Sequence, residues 1–294
     1  MPRRRLVAFA LFALLASSAH AQSATSSGGP DLRSPILGEE VPYIRTPQAV
    51  VDKMLDLAEV GADDFLIDLG SGDGRIVISA AQKRGARGFG VELDASLVEA
   101  SNAAARKAGV AERARFFARD LFDTDIRAAT VLTMYLLPEV NLQLRPRILA
   151  QLKPGTRVVS HDWDMGEWQP DAKAVLEGLT KPVMPIQASS VYLWIVPAKV
   201  AGKWKVQLEG ARPESMQIEF TQRFQEISGV ARRMRARTLL QSAHLRGAEI
   251  RFAVIDETRR PSEPLHFFGR VLSDTMEGTT SSGRRWHAQR NTNF

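Results

Sequence analysis

Asp68-Leu69-Gly70-Ser71-Gly72-Asp73-Gly74 decides the reading of this 294-residue chain. It follows Phe65-Leu66-Ile67, a short apolar run of strand character. It precedes Ile76, Val77, Ala80 and Ala81, which mark a helix ended by Gly85. A helix that leaves a strand through a tight glycine turn offers free backbone N–H groups and the positive end of its dipole. Glycines at 70, 72 and 74 let a ligand approach that backbone closely. Dinucleotide turns are usually spaced G-x-G-x-x-G and seat a pyrophosphate. Here the spacing is G-x-G-x-G, and Asp68 stands at the strand end. A carboxylate there repels a pyrophosphate but suits the cationic amino group of a bound amino-acid moiety.

Working outward, a second strand at 88–91 ends in Glu92, whose carboxylate can accept both hydroxyls of a ribose. A third, at 115–118, leads to Asp120, which can accept from an adenine amino group while the Leu121 backbone faces the ring nitrogen. Strands at 131–136 and 157–160 follow, with helices at 95–108 and around 140–152, the latter expected to kink or restart at Pro146. Upstream, Thr46-Pro47 has the chemistry to open a helix striped by Val50, Met54, Leu57 and Ala58. Strands alternating with helices predict a doubly wound parallel α/β sheet. Its switch point collects the three acids in one crevice. An amino group, a ribose and an adenine together describe S-adenosyl-L-methionine. A nicotinamide-dependent oxidoreductase is the competing enzyme reading.

Residues 40–168 resemble class I methyltransferases. They are most similar to the lysine methyltransferases of mitochondria that act on ATP synthase subunit c and the adenine nucleotide translocase, with their prokaryotic relatives. The matching residues are Tyr43-Ile44-Arg45-Thr46-Pro47, the run from Asp68 to Ile76 that includes Ser71 and Asp73, then Gly90-Val91-Glu92 and Asp120-Leu121. The resemblance covers under half of the chain. It implies a Rossmann-like seven-stranded sheet and methyl transfer to a lysine amine of a protein substrate. It also implies that Tyr43 and Thr46 lie near the methionine end of the cofactor.

The acceptor side is read from Tyr135-Leu136-Leu137-Pro138-Glu139. Many amine methyltransferases carry an Asp/Asn-Pro-Pro-aromatic turn here, and this chain departs from that pattern. Tyr135 is assigned to face the methyl group, with a place in the core as its alternative. The stretch Ser160-His161-Asp162-Trp163-Asp164-Met165-Gly166-Glu167-Trp168 matches no metal-ligand spacing and reads as a capped, solvated loop, with His161 as an optional proton acceptor. No metal is assigned. With no cysteine, disulfide frameworks and thiolate metal sites are excluded.

From about residue 190 the pattern turns to strands. Residues 191–196 and 204–208 form either the hairpin that closes the first sheet or the start of a second domain. Beyond them, strands at 216–220, 227–231, 250–255 and 267–272 predict an antiparallel β-domain over 200–294, following a methyltransferase domain over 41–199. Gly202-x-Trp204 resembles the opening of lipocalin-like barrels. This segment is basic, with 16 Lys and Arg against 10 Asp and Glu. Arg233, Arg235 and Arg237 are expected on one face of a strand, either as a solvated face or as a site for an anionic envelope partner. Few aromatics interleave, which ranks nucleic acid last. At the other end, Arg3-Arg4-Arg5, the apolar run 6–15 and Ala19-His20-Ala21 read as a signal peptide over 1–21, followed by a flexible lead-in over 22–40. The expectation is export, in the first place to a periplasm, with no membrane span left after cleavage. Because exported compartments have no obvious cofactor supply, a non-catalytic scaffold retaining the fold is the alternative to the enzyme.

Overall fold

The computed structural model describes residues 44–178, 188–211, 213–234, 236–255 and 263–291. The signal and lead-in segments, Tyr43 and Arg235 lie outside them. Chain order begins α1 (Gln48–Leu57), β1 (Phe65–Leu69), α2 (Arg75–Arg84), β2 (Arg87–Glu92), α3 (Ala95–Lys107) and β3 (Ala114–Ala118). It continues β4 (Val131–Met134), α4 (Pro138–Gln151), β5 (Arg157–His161), β6 (Ala172–Glu177) and β7 (Ala188–Ile195). These strands make one seven-stranded sheet ordered β3-β2-β1-β4-β5-β7-β6. The first five are parallel, and β7 runs antiparallel to both β5 and β6. The Rossmann-like α/β expectation therefore holds.

Local chemistry explains the elements. Asp94 caps α3, its carboxylate accepting from the Ser96 and Leu97 N–H groups, and Gly85 ends α2 at φ +71°. The central strands are buried on both faces, as a parallel sheet requires. Leu66 packs with α1 and α2 through Val50, Met54, Val77 and Ala80. Ile67 and Leu69 face the other way, with Leu144 and Ile148 of α4 and with Trp168 and Trp194.

One expectation about this half needs correcting, and one open alternative is decided. The helix α4 runs unbroken through Pro146. The carbonyl that Pro146 leaves without a donor belongs to Leu142, which is exposed, so water can serve it. The partner of β7 in closing the sheet is β6, which its mixed Ala-Lys-Ala-Val-Leu-Glu composition did not advertise. The strand near residue 204 belongs to a second sheet.

That sheet comprises β8 (Gly202–Leu208), β9 (Glu214–Arg223), β10 (Glu226–Arg233), β11 (Ala236–Leu239), β12 (Gln241–Arg246), β13 (Glu249–Ile255), β14 (Pro264–Leu272), β15 (Thr275–Thr280) and β16 (Arg285–Arg290). Its order is β11-β10-β9-β8-β16-β15-β14-β13-β12, antiparallel throughout. The two end strands are separated in sequence by Leu240 alone, whose N–H donates to the Gly229 carbonyl of β10. The sheet thus curls into a near-barrel around Trp204, Phe220, Phe252, Phe267 and Trp286. Trp204 Nε1 donates to the Val200 carbonyl, and the Arg290 guanidinium lies over its ring, 4.3 Å from the centroid. The arginine run does not share one strand face. It straddles a hairpin, with Arg232 opposite Arg237 and the exposed Met234 at the turn. Arg232 and Arg233 pair with Glu219 and Glu214. No helix among the described residues is long and apolar enough to cross a membrane.

Trp286 meets Phe252 and Phe267 edge-on at 5.9 and 5.7 Å, inside the barrel. Truncating it removes both ring contacts and leaves a cavity in that core. We expect Trp286→Ala to cost about 3–5 kcal/mol in urea unfolding, and a loss below about 1 kcal/mol would show that the barrel interior can refill.

Candidate active site

At the carboxyl end of β1, Asp68 is buried, with 2 % of its surface exposed, and its Oδ1 accepts from the Thr133 hydroxyl at 2.7 Å. The strand register creates this contact, since Asp68 lies beside Thr133 of β4 and beside Gly90 of β2. The turn after β1 is lashed to β2. The N–H groups of Gly70 and Ser71 both donate to the Val91 carbonyl, and Gly72 N–H donates to Glu92 Oε2 at 3.0 Å. Gly74 N–H returns to the Ser71 carbonyl. These four donors of the turn are therefore committed within the protein. The turn offers space and negative charge instead, which suits a cationic ligand better than a pyrophosphate. That space needs glycine: at Gly70 (φ +74°) a Cβ would sit 2.7 Å from Leu136 Cδ2, and at Gly74 (φ +76°) 2.5 Å from the Phe116 ring.

Glu92 ends β2, half-buried, with its Oε1 also accepting from Leu93 N–H at 2.8 Å. Asp120 lies two residues beyond β3, where its carboxylate accepts from Phe122 N–H at 2.7 Å and opens a single 3-10 turn that begins at Leu121. Three acids thus stand at the ends of three neighbouring strands. Asp73 is placed differently. Its carboxylate grips the Arg75 guanidinium and lies 3.7 Å from Arg45. Arg75 in turn donates to the Thr46 carbonyl at 2.8 Å, which ties the chain before α1 to the turn. Thr46 does not cap α1, because Pro47 occupies that position. Its hydroxyl instead lies 3.2 Å from His161 Nδ1. Ser71 Oγ is buried and has no hydrogen-bond partner among the described residues.

On the acceptor side, Tyr135 directly follows β4, and its ring lies 4.0 Å from that of His161, centroid to centroid. The Tyr135 hydroxyl donates to Asp162 Oδ2 at 3.3 Å. Burial, with the Asp162 charge beside it, pushes the phenol up to about 12, so it stays neutral at physiological pH. The stretch from His161 to Trp168 is solvated only in part: Asp164, Gly166 and Glu167 are exposed, and the Asp164 carboxylate accepts from the Gly166 N–H. His161, Met165 and Trp168 are fully buried, and His161 Nε2 lies 3.0 Å from Ser189 Oγ. The hydrophobic spacing of Met165 and Trp168 was the available signal. Ser189 and Thr46, by contrast, carry no local pattern that announces them.

Burial lifts the Asp68 carboxyl to about 7, with the nearby Glu92 and Asp73 charges adding to the effect. The native state then holds a proton that the unfolded chain releases near its ordinary value. This contribution is fully present below about pH 4 and is lost as pH rises to about 7. We expect the urea midpoint to fall between pH 5 and pH 8, and the fall to shrink in Asp68→Asn. An identical pH dependence in the two proteins would refute this assignment.

With this geometry in view, the comparisons are direct. The model of the ANTKMT methyltransferase domain matches residues 68–172. A protein-lysine N-methyltransferase of Saccharolobus islandicus is 45% identical over 131 residues, covering 44% of this chain and 81% of that protein. The adenine nucleotide translocase lysine N-methyltransferase of Mus musculus is 34% identical over 143 residues, covering 49% of this chain and 62% of that one. A crystal structure described as an RNA methyltransferase from Salinibacter ruber, in complex with S-adenosyl-L-homocysteine, is 52% identical; it covers 54% of this chain and 96% of that one, with a TM-score of 0.49. The chain is an S-adenosylmethionine-dependent methyltransferase and belongs to the family that includes these lysine N-methyltransferases.

Proposed function

We propose that this enzyme methylates a lysine side chain of a protein substrate, and that it does so outside the cytoplasm. The observation that carries the lysine reading is the neutral Tyr135 ring, held against His161 and bonded to Asp162 at the strand ends next to Asp68. An aromatic wall with a carboxylate at its edge suits an alkyl amine, and the similarity to lysine methyltransferases supports the same class. In this proposal Asp68 takes the amino group of the cofactor, Glu92 its ribose hydroxyls, and Asp120 its adenine amino group beside the Leu121 backbone. Gly70, Ser71, Gly72, Asp73 and Gly74 shape the seat, and Tyr43 and Thr46 close its methionine end. The residues present fit such a ligand: the committed turn donors disfavour an anion, the glycines leave room, and Ser71 Oγ awaits a partner.

When bound, the cofactor would supply a methyl group on a sulfonium; the acceptor ammonium first gives up its proton to a nearby base or to water, and the neutral amine then forms the N–C bond as the C–S bond breaks and its electron pair stays on sulfur. The protein needs no nucleophile of its own and contributes alignment. Rigid strand ends provide that alignment, with Tyr135 pinned from two sides. Export follows from the basic, apolar and small-residue pattern of 1–21, and makes envelope proteins the substrates to examine. The basic barrel is assigned to holding an anionic envelope partner.

Two measurements test this reading. Glu92→Ala is expected to weaken cofactor binding at least tenfold by calorimetry, with far-UV circular dichroism unchanged; wild-type affinity would remove Glu92 from the seat. Incubating the protein with methyl-labelled cofactor and an envelope extract is expected to yield methyl-lysine on total hydrolysis of the protein fraction. Label recovered only in RNA or lipid would overturn the lysine assignment.

A further inference from the structure

Asp162 is a non-glycine residue at φ +63°, and its geometry is over-determined. The Trp163 N–H donates back to the His161 carbonyl at 2.8 Å, closing a tight three-residue turn around it. Its own N–H donates to the Ser190 carbonyl at 2.7 Å, and its Oδ1 accepts from the Ser190 N–H at 3.0 Å. Both ends of one residue are thus clamped to β7, which holds the carboxylate in a backbone conformation that is costly for most side chains. Such strain persists where the surroundings enforce it, and it clusters at functional sites.

The effect of the clamp is to aim Oδ2 at the acceptor wall, where it lies 3.3 Å from both the Tyr135 hydroxyl and His161 Nε2. The cluster is layered. His161 and Ser189 are fully buried and Thr46 nearly so, while Tyr135 is half-buried and the Asp162 side chain keeps 14 % of its surface exposed. The outer pair is what an acceptor group can reach. His161, with hydroxyls 3.2 and 3.0 Å from its two ring nitrogens, is the pillar behind it.

We propose that Asp162 and Tyr135 form a primary-ammonium subsite. The carboxylate recognises the cationic end of an unbranched alkyl amine, and the phenol ring lines the approach to the methyl donor. This rests on the lysine reading above and gives that site its specificity. An ammonium donates charge-assisted hydrogen bonds of about 2.7–2.9 Å to a carboxylate, roughly twice as strong as those between neutral groups. An exocyclic amine of a nucleobase carries no charge and gains nothing comparable, so the subsite discriminates by charge.

The test uses the full chain saturated with S-adenosyl-L-homocysteine, titrated with N-acetyl-lysine methylamide and with its uncharged analogue N-acetyl-norleucine methylamide. The lysine probe is expected to bind at least tenfold more tightly than the norleucine probe. Asp162→Asn tolerates the same backbone conformation and retains an acceptor for Ser190. It is expected to lose that tenfold preference, while affinity for the norleucine probe and for the cofactor stays unchanged. A wild-type protein that does not distinguish the two probes, or a variant that binds the lysine probe as wild type does, overturns the subsite. Unchanged probe affinity in Asp162→Asn while methyl-lysine still forms in the envelope experiment ends the subsite alone. A labelled product other than methyl-lysine ends the lysine reading and the subsite with it.

Discussion

A carboxylate buried at the end of the central strand, with the Thr133 hydroxyl as its hydrogen-bond donor, sets the terms for the whole site. Taking an ionised carboxylate out of water costs several kcal/mol unless a partner offsets it. Asp68 meets that cost by retaining a proton up to about pH 7. A ligand that brings its own cation to this place replaces the proton with a positive charge and gains from the absence of competing water. The surroundings leave little choice of ligand, because Glu92 and Asp73 add negative charge and the turn has already committed four of its donors to the protein.

The sheet register that aligns Asp68 with Thr133 also assembles the acceptor side. Met134 of β4 lies beside Ser160 of β5, so Tyr135 and His161 emerge as neighbours. His161 of β5 pairs with Val191 of β7, which brings Ser189 and Ser190 against the same end. The antiparallel closing strand is therefore part of the same cluster. Without β7, His161 loses Ser189 and Asp162 loses both of its backbone clamps.

How much of this was readable in the sequence depends on how local each signal is. The glycine turn and the three acids belong to single strand–turn–helix units, each spelled out within a few residues, and the fold built from them was legible. The strand β6 was missed because Ala-Lys-Ala-Val-Leu-Glu mixes small, charged and apolar residues without a clean alternation of apolar and polar types, although its burial alternates on this outer strand. Pro146 misled because its cost depends on whether the freed carbonyl reaches water, which is a property of the packed helix. The cluster around His161 was opaque for a different reason. Thr46, Tyr135, His161 and Ser189 are joined by contacts spanning up to 115 positions, and no residue among them announces the others. Asp162 looked like one of several acids in a polar loop until its backbone and its clamps were seen together.

The barrel bears on the site through the loop that begins at Asp162. The turn between β9 and β10 places Phe224 on Trp168, with rings 6.1 Å apart and nearly parallel, while the Arg145 guanidinium of α4 lies 5.6 Å from the Phe224 centroid. Gln225 donates to the Gln169 carbonyl at 2.6 Å, and Arg223 pairs with Glu167 at 3.1 Å. From the first sheet, Trp194 Nε1 donates to the Trp168 carbonyl at 2.6 Å, and Arg145 to that of Met165 at 2.7 Å. Residues 165–169 are thus gripped from both sides, and the complete burial of Trp168 depends on a side chain supplied by the barrel. Stacked aromatic pairs contribute about 0.5–1.5 kcal/mol beyond the area they bury, enough to shift a short loop between ordered and frayed. A loop carrying a strained Asp162 at its start gains most from being fixed at its far end. The basic barrel is therefore more than an appended module: its hairpin tip helps hold the loop that follows Asp162 in shape.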